Sequence, residues 1–159
     1  TLTFELSPPV LYELGLQAAL EWLAEIVRKQ SGLVVDVAGD GSDRKLDLDR
    51  RVLMFRICRE LLLNTVKHAG AKRTRVSLRG DGAAIQVTIS DDGSGFDQDL
   101  LQAGYDPFER GFGLFSIREQ LRHHGGTFEV DSTPGRGSAV TIVMPLAPGG
   151  KPEEEEVSN

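Results

Sequence analysis

Four polar side chains interrupt an otherwise apolar stretch in the middle of the chain. Glu60, Asn64, Lys67 and His68 stand at i, i+4, i+7 and i+8, among Ile57, Leu61, Leu62, Leu63 and Val66. On an α-helix this spacing lays all four along one face. An acid, an amide, a base and an imidazole so aligned suit a metal-bound polyphosphate. Asn64 offers a neutral oxygen to Mg²⁺, a cation that keeps several waters and needs few protein ligands. Glu60 can orient or deprotonate a nucleophile, and Lys67 can neutralise phosphate charge. A solvated helix face would carry the same residue types. A second group, Asp91-Asp92-Gly93-Ser94-Gly95, directly follows a strand-like run. Its glycines permit a sharp turn or the close approach of backbone to a flat ligand. An aspartate at a strand end can accept a hydrogen bond from an exocyclic amine, although a plain Asx turn has the same sequence. The third group, Gly111-Phe112-Gly113-Leu114, immediately precedes a helix. Free N–H groups and the helix dipole at such a start attract an anion, while a lone Gly-x-Gly serves equally as a hinge.

The elements that would carry these groups can be read from periodicity. Leu11, Leu14, Ala18, Trp22 and Ile26 recur at helical spacing, which predicts one helix over 11–30 that ends at Ser31-Gly32. Leu33 to Val37 reads as a strand, and Ala38 to Asp43 as a turn. The helix bearing Glu60 is predicted over about 48–69, stopping at Gly70. Arg73–Leu78 and Ala84–Ser90 form a strand pair around Gly80-Asp81-Gly82. In its second member Ile85, Val87 and Ile89 alternate with Gln86, Thr88 and Ser90, so one face is buried. Residues 91–112 are too long and glycine-rich for an ordinary connection. Their part over 96–110 has few apolar anchors and is expected to move. Leu114–His124 reads as a third helix, and Thr127–Asp131 and Ser138–Met144 as two last strands joined by Thr133-Pro134-Gly135-Arg136-Gly137. Alternating strands and interspersed helices imply an α+β fold, a two-layer sandwich of one mixed sheet with helices on one face.

Taken in order, polar helix face, strand, Asp-x-Gly-x-Gly, long loop, Gly-x-Gly and helix resemble the ATP-binding domain of sensor histidine kinases. These form one branch of the superfamily that includes gyrase, Hsp90 and the MutL proteins. Glu60-Leu-Leu-Leu-Asn64-Thr-Val-Lys67-His68-Ala69 resembles the N box, Asp91 to Gly95 the G1 box, and Gly111 to Leu114 the G2 box. Tyr105-Asp106-Pro107-Phe108 is a looser match to the F box, and Gly135-Arg136-Gly137-Ser138 with Pro145 is similar to the closing strand motif. Leu6-Ser7-Pro8-Pro9 and Leu14-Gly15-Leu16 resemble the exit from the dimerisation helices in the nitrate- and degradation-sensor subfamily. The resemblance implies the family's sandwich fold with a flexible ATP lid, and ATP with Mg²⁺ as its ligands. Asn64 would chelate Mg²⁺ from the outer face of its helix, Glu60 would act on the nucleophile, and Lys67 and His68 would face the phosphates. Asp91 would accept from the adenine amino group with Gly95 beneath the base, and Gly93 and Ser138 would also bind the nucleotide. Gly111, Gly113 and Leu114 would cover the phosphates, with Arg110 as the cation of the closing lid. Asp92 stands where the family commonly has asparagine, an extra negative charge expected to weaken binding slightly. Ser138 stands where it commonly has threonine.

The same resemblance divides the chain into a dimerisation-domain exit at 1–10, the catalytic ATP-binding domain at 11–146, and an acidic tail at 147–159 expected to be disordered. It implies two partners: an upstream dimerisation domain with the phosphoacceptor histidine, and a response regulator. The piece itself would be a monomer and its parent a cytoplasmic or membrane-anchored homodimer. A GHKL-type ATP hydrolase and a non-catalytic, anti-sigma-like nucleotide-binding module are the alternatives. Composition agrees: of a net charge of −6, Lys151 and Glu153–Glu156 supply −3, so no basic field favours nucleic acid or an anionic membrane. One cysteine, Cys58, excludes an internal disulfide and reads as a small core residue. The chain opens on Thr1 rather than Met, as expected of a piece of a longer protein, and no apolar run reaches the roughly 18 residues of a membrane span. Trp22 reads as core or interface. His123-His124 are cations at a helix C-terminus rather than a chelating pair, since adjacent helical residues point about 100° apart.

Overall fold

The computed structural model describes residues 8–97, 99 and 114–147. Most of the expected lid, the first seven residues and the acidic tail lie outside them, and so do the side chains of His68, Ala69, Leu114 and Phe115.

Helices α1 (Pro9–Leu14) and α2 (Leu16–Ser31) occupy the stretch where periodicity predicted a single helix. Gly15 divides them with φ 94, and its missing Cβ would stand 2.9 Å from Asp43 Oδ2. That carboxylate accepts from the Gln17 amide at 3.0 Å, satisfying an otherwise orphaned N–H in the first turn of α2. Asp43 is 2% exposed and comes from a short 3₁₀ helix, Ser42–Lys45, in the segment read as a turn. The break is thus imposed from 26 residues away. α2 ends on left-handed Gly32, whose N–H returns to Arg28 O at 2.9 Å.

Strand β1 is Val34–Gly39, and helix α3 is Leu48–Asn64. Asp47 caps α3 by accepting from Arg50 N at 2.9 Å. The Arg50 guanidinium pairs with the same carboxylate at 2.9 Å and reaches His124 O at 3.2 Å, tying the start of α3 to the end of helix α4 (Leu114–His123). Thr65–Ala69, expected to continue α3, form one π-helical turn that stops at Gly70 with φ 60. Strands β2 (Arg73–Gly80), β3 (Ala84–Asp91), β4 (Thr127–Ser132) and β5 (Ser138–Pro145) complete the fold. The sheet order is β1-β2-β3-β5-β4. The β1–β2 pair is parallel, as its crossover through α3 requires, and the rest are antiparallel.

One face of the sheet meets the helices. Rows of paired residues there are apolar, Val76–Ile89–Val140–Val130 and then Leu78–Val87–Ile142–Phe128. They join Leu16, Leu20 and Leu23 of α2, Met54, Phe55 and Leu62 of α3, and Ile117 and Leu121 of α4 in one core. Arg75, Ser77, Arg79, Gln86, Thr88 and Ser90 make the opposite face polar. Two layers, helices on one side of a mixed sheet, are the expected α+β architecture. Cys58 is buried in α3, as its apolar neighbours indicated. Among the described residues no helix is long and apolar enough to cross a membrane.

Candidate functional site

At one end of the helix-facing side, the apolar rows give way to a polar one. Strand pairing sets Thr74, Asp91, Ser138 and Ser132 side by side across β2, β3, β5 and β4. The alternation that buries Ile85, Val87 and Ile89 carries Asp91 to the same face one step later, where the core ends. Asp91 Oδ1 accepts from Gly93 N at 2.9 Å, and the Ser138 N–H also donates to this carboxylate. Burial nevertheless raises its pKa above the usual value, outweighing those two donors, with the Asp92 charge adding to the rise. Asp91 is therefore a half-buried acceptor at a strand end.

The loop after Asp91 packs backbone against backbone on the β4–β5 turn. A Cβ on Gly95 would lie 2.2 Å from Thr133 O, and one on Gly137 would lie 2.0 Å from Asp91 O. Gly135 N donates to Ser94 O at 2.6 Å. Contact between two loops, beyond turn geometry alone, explains Gly95 and Gly137. Asp92 is held by the backbone at the start of β2. Its exposed carboxylate accepts from Lys72 N at 2.8 Å and Arg73 N at 3.0 Å, and these N–H groups hold its pKa below the usual aspartate value. The extra charge is thus engaged at the start of β2, where it ties the segment leaving α3 to the strand end that carries Asp91.

On the helical side, Glu60 and Asn64 lie one α-turn apart on α3. Asn64 was expected to face outward; it is 3% exposed, and among the described residues its Nδ2 has no hydrogen-bond partner. A buried amide left unpaired costs about 1–3 kcal/mol, which makes it the strained member of the group. Glu60 lines a narrow groove with Arg56, Ile57, Ile117 and Gln120, between α3 and α4. Lys67 is exposed and sits in the π-helical turn, so the straight four-residue face expected of one α-helix does not continue past Asn64. π-turns inside helices often mark functional sites. Gly93 is buried, Gly95 and Ser138 half-buried. Arg110, Gly111 and Gly113 lie outside the described residues, and of Leu114 only its place at the start of α4 is described. Among the described residues no cluster of three His, Cys, Asp or Glu is arranged to hold a metal alone.

Two members of the polar row were missed in the sequence. Thr74 is fully buried with no partner for Oγ1 among the described residues, and nothing in its flanking residues marks it. Ser132 is 5% exposed; it accepts from Phe96 N at 2.8 Å and lies 2.8 Å from Ser138 Oγ. The five-residue turn between β4 and β5 was a usable signal, because it sets Ser132 opposite Ser138.

Comparison with known proteins places this arrangement in a family context. Residues 49–148 match the family described as histidine kinase-, DNA gyrase B- and HSP90-like ATPases. An uncharacterised sensor-like histidine kinase of Chloroflexus aurantiacus is 37% identical over 150 residues, 92% of this chain and 25% of that protein. The oxygen sensor histidine kinase NreB of Staphylococcus carnosus is 32% identical, over 91% of this chain and 40% of its own length. The chain thus spans between a quarter and two fifths of these relatives. The histidine kinase domain of a blue-light activated histidine kinase from Erythrobacter litoralis superposes with a TM-score of 0.64 at 27% identity, covering 82% of this chain and 61% of that one. The catalytic domain of histidine kinase ThkA shares the fold at a TM-score of 0.69 and 18% identity, over 86% of this chain and 93% of its own.

Proposed function

The chain belongs to the histidine kinase-, DNA gyrase B- and HSP90-like ATPases, and we propose that it binds Mg-ATP and donates the γ-phosphate to a histidine on a separate dimerisation domain. In this reading it is the catalytic part of a sensor kinase whose phosphohistidine then serves a response regulator. The observation that carries it is the polar row: a half-buried carboxylate, Asp91, closing an apolar sheet face beside Ser138. An ionised carboxylate can only accept, so Asp91 takes the amino group of adenine and opposes the carbonyl of guanine. Asn64, and Lys67 three residues on in the π-helical turn, serve the phosphates.

The residues also fit Mg²⁺. With no acidic cluster to bind it among the described residues, the ion would rest on phosphate oxygens and waters. Asn64 would add one amide oxygen, and its unpaired Nδ2 would gain a partner in a phosphate oxygen or a bound water. When bound, the ion would neutralise charge on the β- and γ-phosphates. The acceptor histidine nitrogen attacks the γ-phosphorus while the bond to the β-bridging oxygen breaks, and ADP leaves. Glu60 holds the incoming imidazole or takes its proton, and Lys67 offsets developing charge. Positioning and electrostatics dominate such transfers.

The test uses this chain, Mg²⁺ and γ-labelled ATP, with and without a dimerisation domain bearing the acceptor. Acid-labile, alkali-stable label on that domain, absent with Asp91→Ala, supports the proposal. Release of phosphate at an undiminished rate with no label on histidine would overturn it in favour of an ATP hydrolase.

A further inference from the structure

The sheet face turned away from the helices carries its charge unevenly. Arg75 and Arg79 stand four residues apart on β2 with Ser77 between them, and Gln86, Thr88 and Ser90 of β3 complete a shallow hollow beside them. Both guanidiniums are exposed, and among the described residues neither forms an ion pair. Asp36, which faces Arg75 in register on β1, gives its carboxylate to Arg73 at 3.1 Å. Asp40 and Asp81, near Arg79, accept from the backbone N–H groups of Gly80 and of Ala83 and Ala84. Glu129 and Asp131 belong to the same face by alternation, but on β4, at the far edge of the sheet. The hollow itself is lined by two cations, three hydroxyls and an amide, with no acid.

Two arginines four residues apart on a strand are separated by about 13 Å. A single phosphate or carboxylate is too small to bridge them. Four consecutive carboxylates on an extended chain cover about 10 Å of backbone and reach both with their side chains. This chain holds one such run, Glu153–Glu156, in the segment that follows β5. From Pro148 onward that segment lies outside the described residues, but its point of departure is fixed. Leu146 N donates to Ala83 O at 3.0 Å, at the end of the sheet where Arg79 stands. Arg79, Gln86 and Val143 share one row, and Arg75, Ser90 and Ala139 another. Counted in strand spacings and residue rises, Leu146 lies about 14 Å from Arg79 and about 25 Å from Arg75. Glu153 follows Leu146 by seven residues and Glu156 by ten. Those lengths span up to about 23 and 33 Å, enough to reach each arginine in turn.

We propose that Glu153–Glu156 dock on the open face of the sheet, along the hollow from Arg79 to Arg75. Pro148-Gly149-Gly150 turns the chain back over β3. Exposed ion pairs are individually weak, but so short a tether holds the run at an effective concentration of about millimolar, and modest contacts suffice. Glu129 and Asp131 repel the run from the far edge and set the side it takes. The hollow is on the opposite face from the polar row, so the inference is independent of how that row is read.

Cys58 is buried, so a nitroxide on Ser158→Cys marks the tail alone. In the full chain at low salt, this label should erase the amide signals of Ser77 and Gln86 in two-dimensional NMR spectra. The signals should return in Arg75→Gln/Arg79→Gln, and in a chain whose four tail glutamates are changed to glutamine. They should also return in about 1 M salt, where the screening length falls to about 3 Å. Both arginines are exposed, so their replacement should leave ATP affinity unchanged; should that variant fail to fold, the glutamine tail carries the test. Undiminished signals in the wild-type chain overturn the proposal, and so does loss that persists in the charge variants. Loss centred on the cleft of Tyr12, Leu48 and His123 overturns it as well. In a mixture of spin-labelled and isotope-labelled chains, equal signal loss would place the run on a second copy and refute docking within one chain.

Discussion

Gly135 and Gly137 lie two residues apart in the β4–β5 turn with nearly the same backbone, φ 80 and 77. Alanine at either place must adopt a left-handed conformation, which costs about 1–2 kcal/mol, less roughly 0.4–1 kcal/mol recovered because the unfolded chain is stiffer. At Gly135 nothing lies within 4 Å of the added Cβ, so the account ends there. A net loss of about 1 kcal/mol lowers the melting temperature of a domain of this size by about 2–4 °C. At Gly137 the Cβ would stand 2.0 Å from Asp91 O, 3.0 Å from its carbonyl carbon and 3.4 Å from Asp92 Cα, all of them backbone atoms. Ordinary contact begins at 3.4 Å, so the turn must withdraw by more than an ångström. That motion opens the Ser132–Gly137 hydrogen bond and the Ser138 N–H donation to Asp91, at about 1 kcal/mol each. Gly137→Ala should therefore lose about 3 kcal/mol and melt about 6–12 °C lower, whereas Gly135→Ala melts only a few degrees lower. Because the withdrawal pulls a donor from Asp91, Gly137→Ala should also bind ATP more weakly at temperatures where it remains folded. Thermal denaturation by circular dichroism, paired with ATP titration, measures both effects. Equal melting shifts for the two variants, or normal ATP affinity in folded Gly137→Ala, would refute the loop-on-loop argument.

Asn64→Ala should abolish the magnesium dependence of ATP binding, read as the difference in thermal shift with and without the metal. Its cost to the fold should stay near 1 kcal/mol, since the cavity it leaves is offset by loss of an unpaired amide. Burial pushes the Cys58 thiol up to about 12, so native protein at pH 8 should resist alkylation that urea-unfolded protein undergoes at once; mass spectrometry distinguishes the two. The raised pKa of Asp91 means that the folded chain keeps this proton at a pH where the unfolded chain has released it. Acidification through that window should therefore favour wild-type stability over Asp91→Asn, and the same window should erase preference for ATP over ITP, as parallel melting and binding profiles would show. His123 and His124 line a cleft with Tyr12 and Leu48, at the end of α4 remote from its start. A helix of ten residues spans about 15 Å, so neither histidine can attack in line. With γ-labelled ATP and Mg²⁺, this chain alone should acquire no stoichiometric phosphohistidine.

Much of this molecule follows from local pattern. Alternation in β3 commits Ile85, Val87 and Ile89 to one face, and by the same count Asp91 must emerge on that face at the end of the strand. The helical spacing around Glu60 and Asn64 brings an acid and an amide one turn apart on α3. Periodicity of this kind is a property of a single segment, decided by side-chain direction along one backbone, and it survives whatever that segment packs against. What depends on a distant partner was not legible in that way. Asp43 breaks the first helix at Gly15 from across the fold; the turn of Asp92 onto Lys72 and Arg73 required β2 to lie beside β3; and Asn64 became buried only when the layers closed. Strand register alone sets Ser132 against Ser138, and Ser138 against Asp91. Register is a choice among pairings of comparable local energy, settled by which one buries the apolar rows. The residues that can do chemistry are thus written in the chain one segment at a time, while their common row exists only after four strands have aligned.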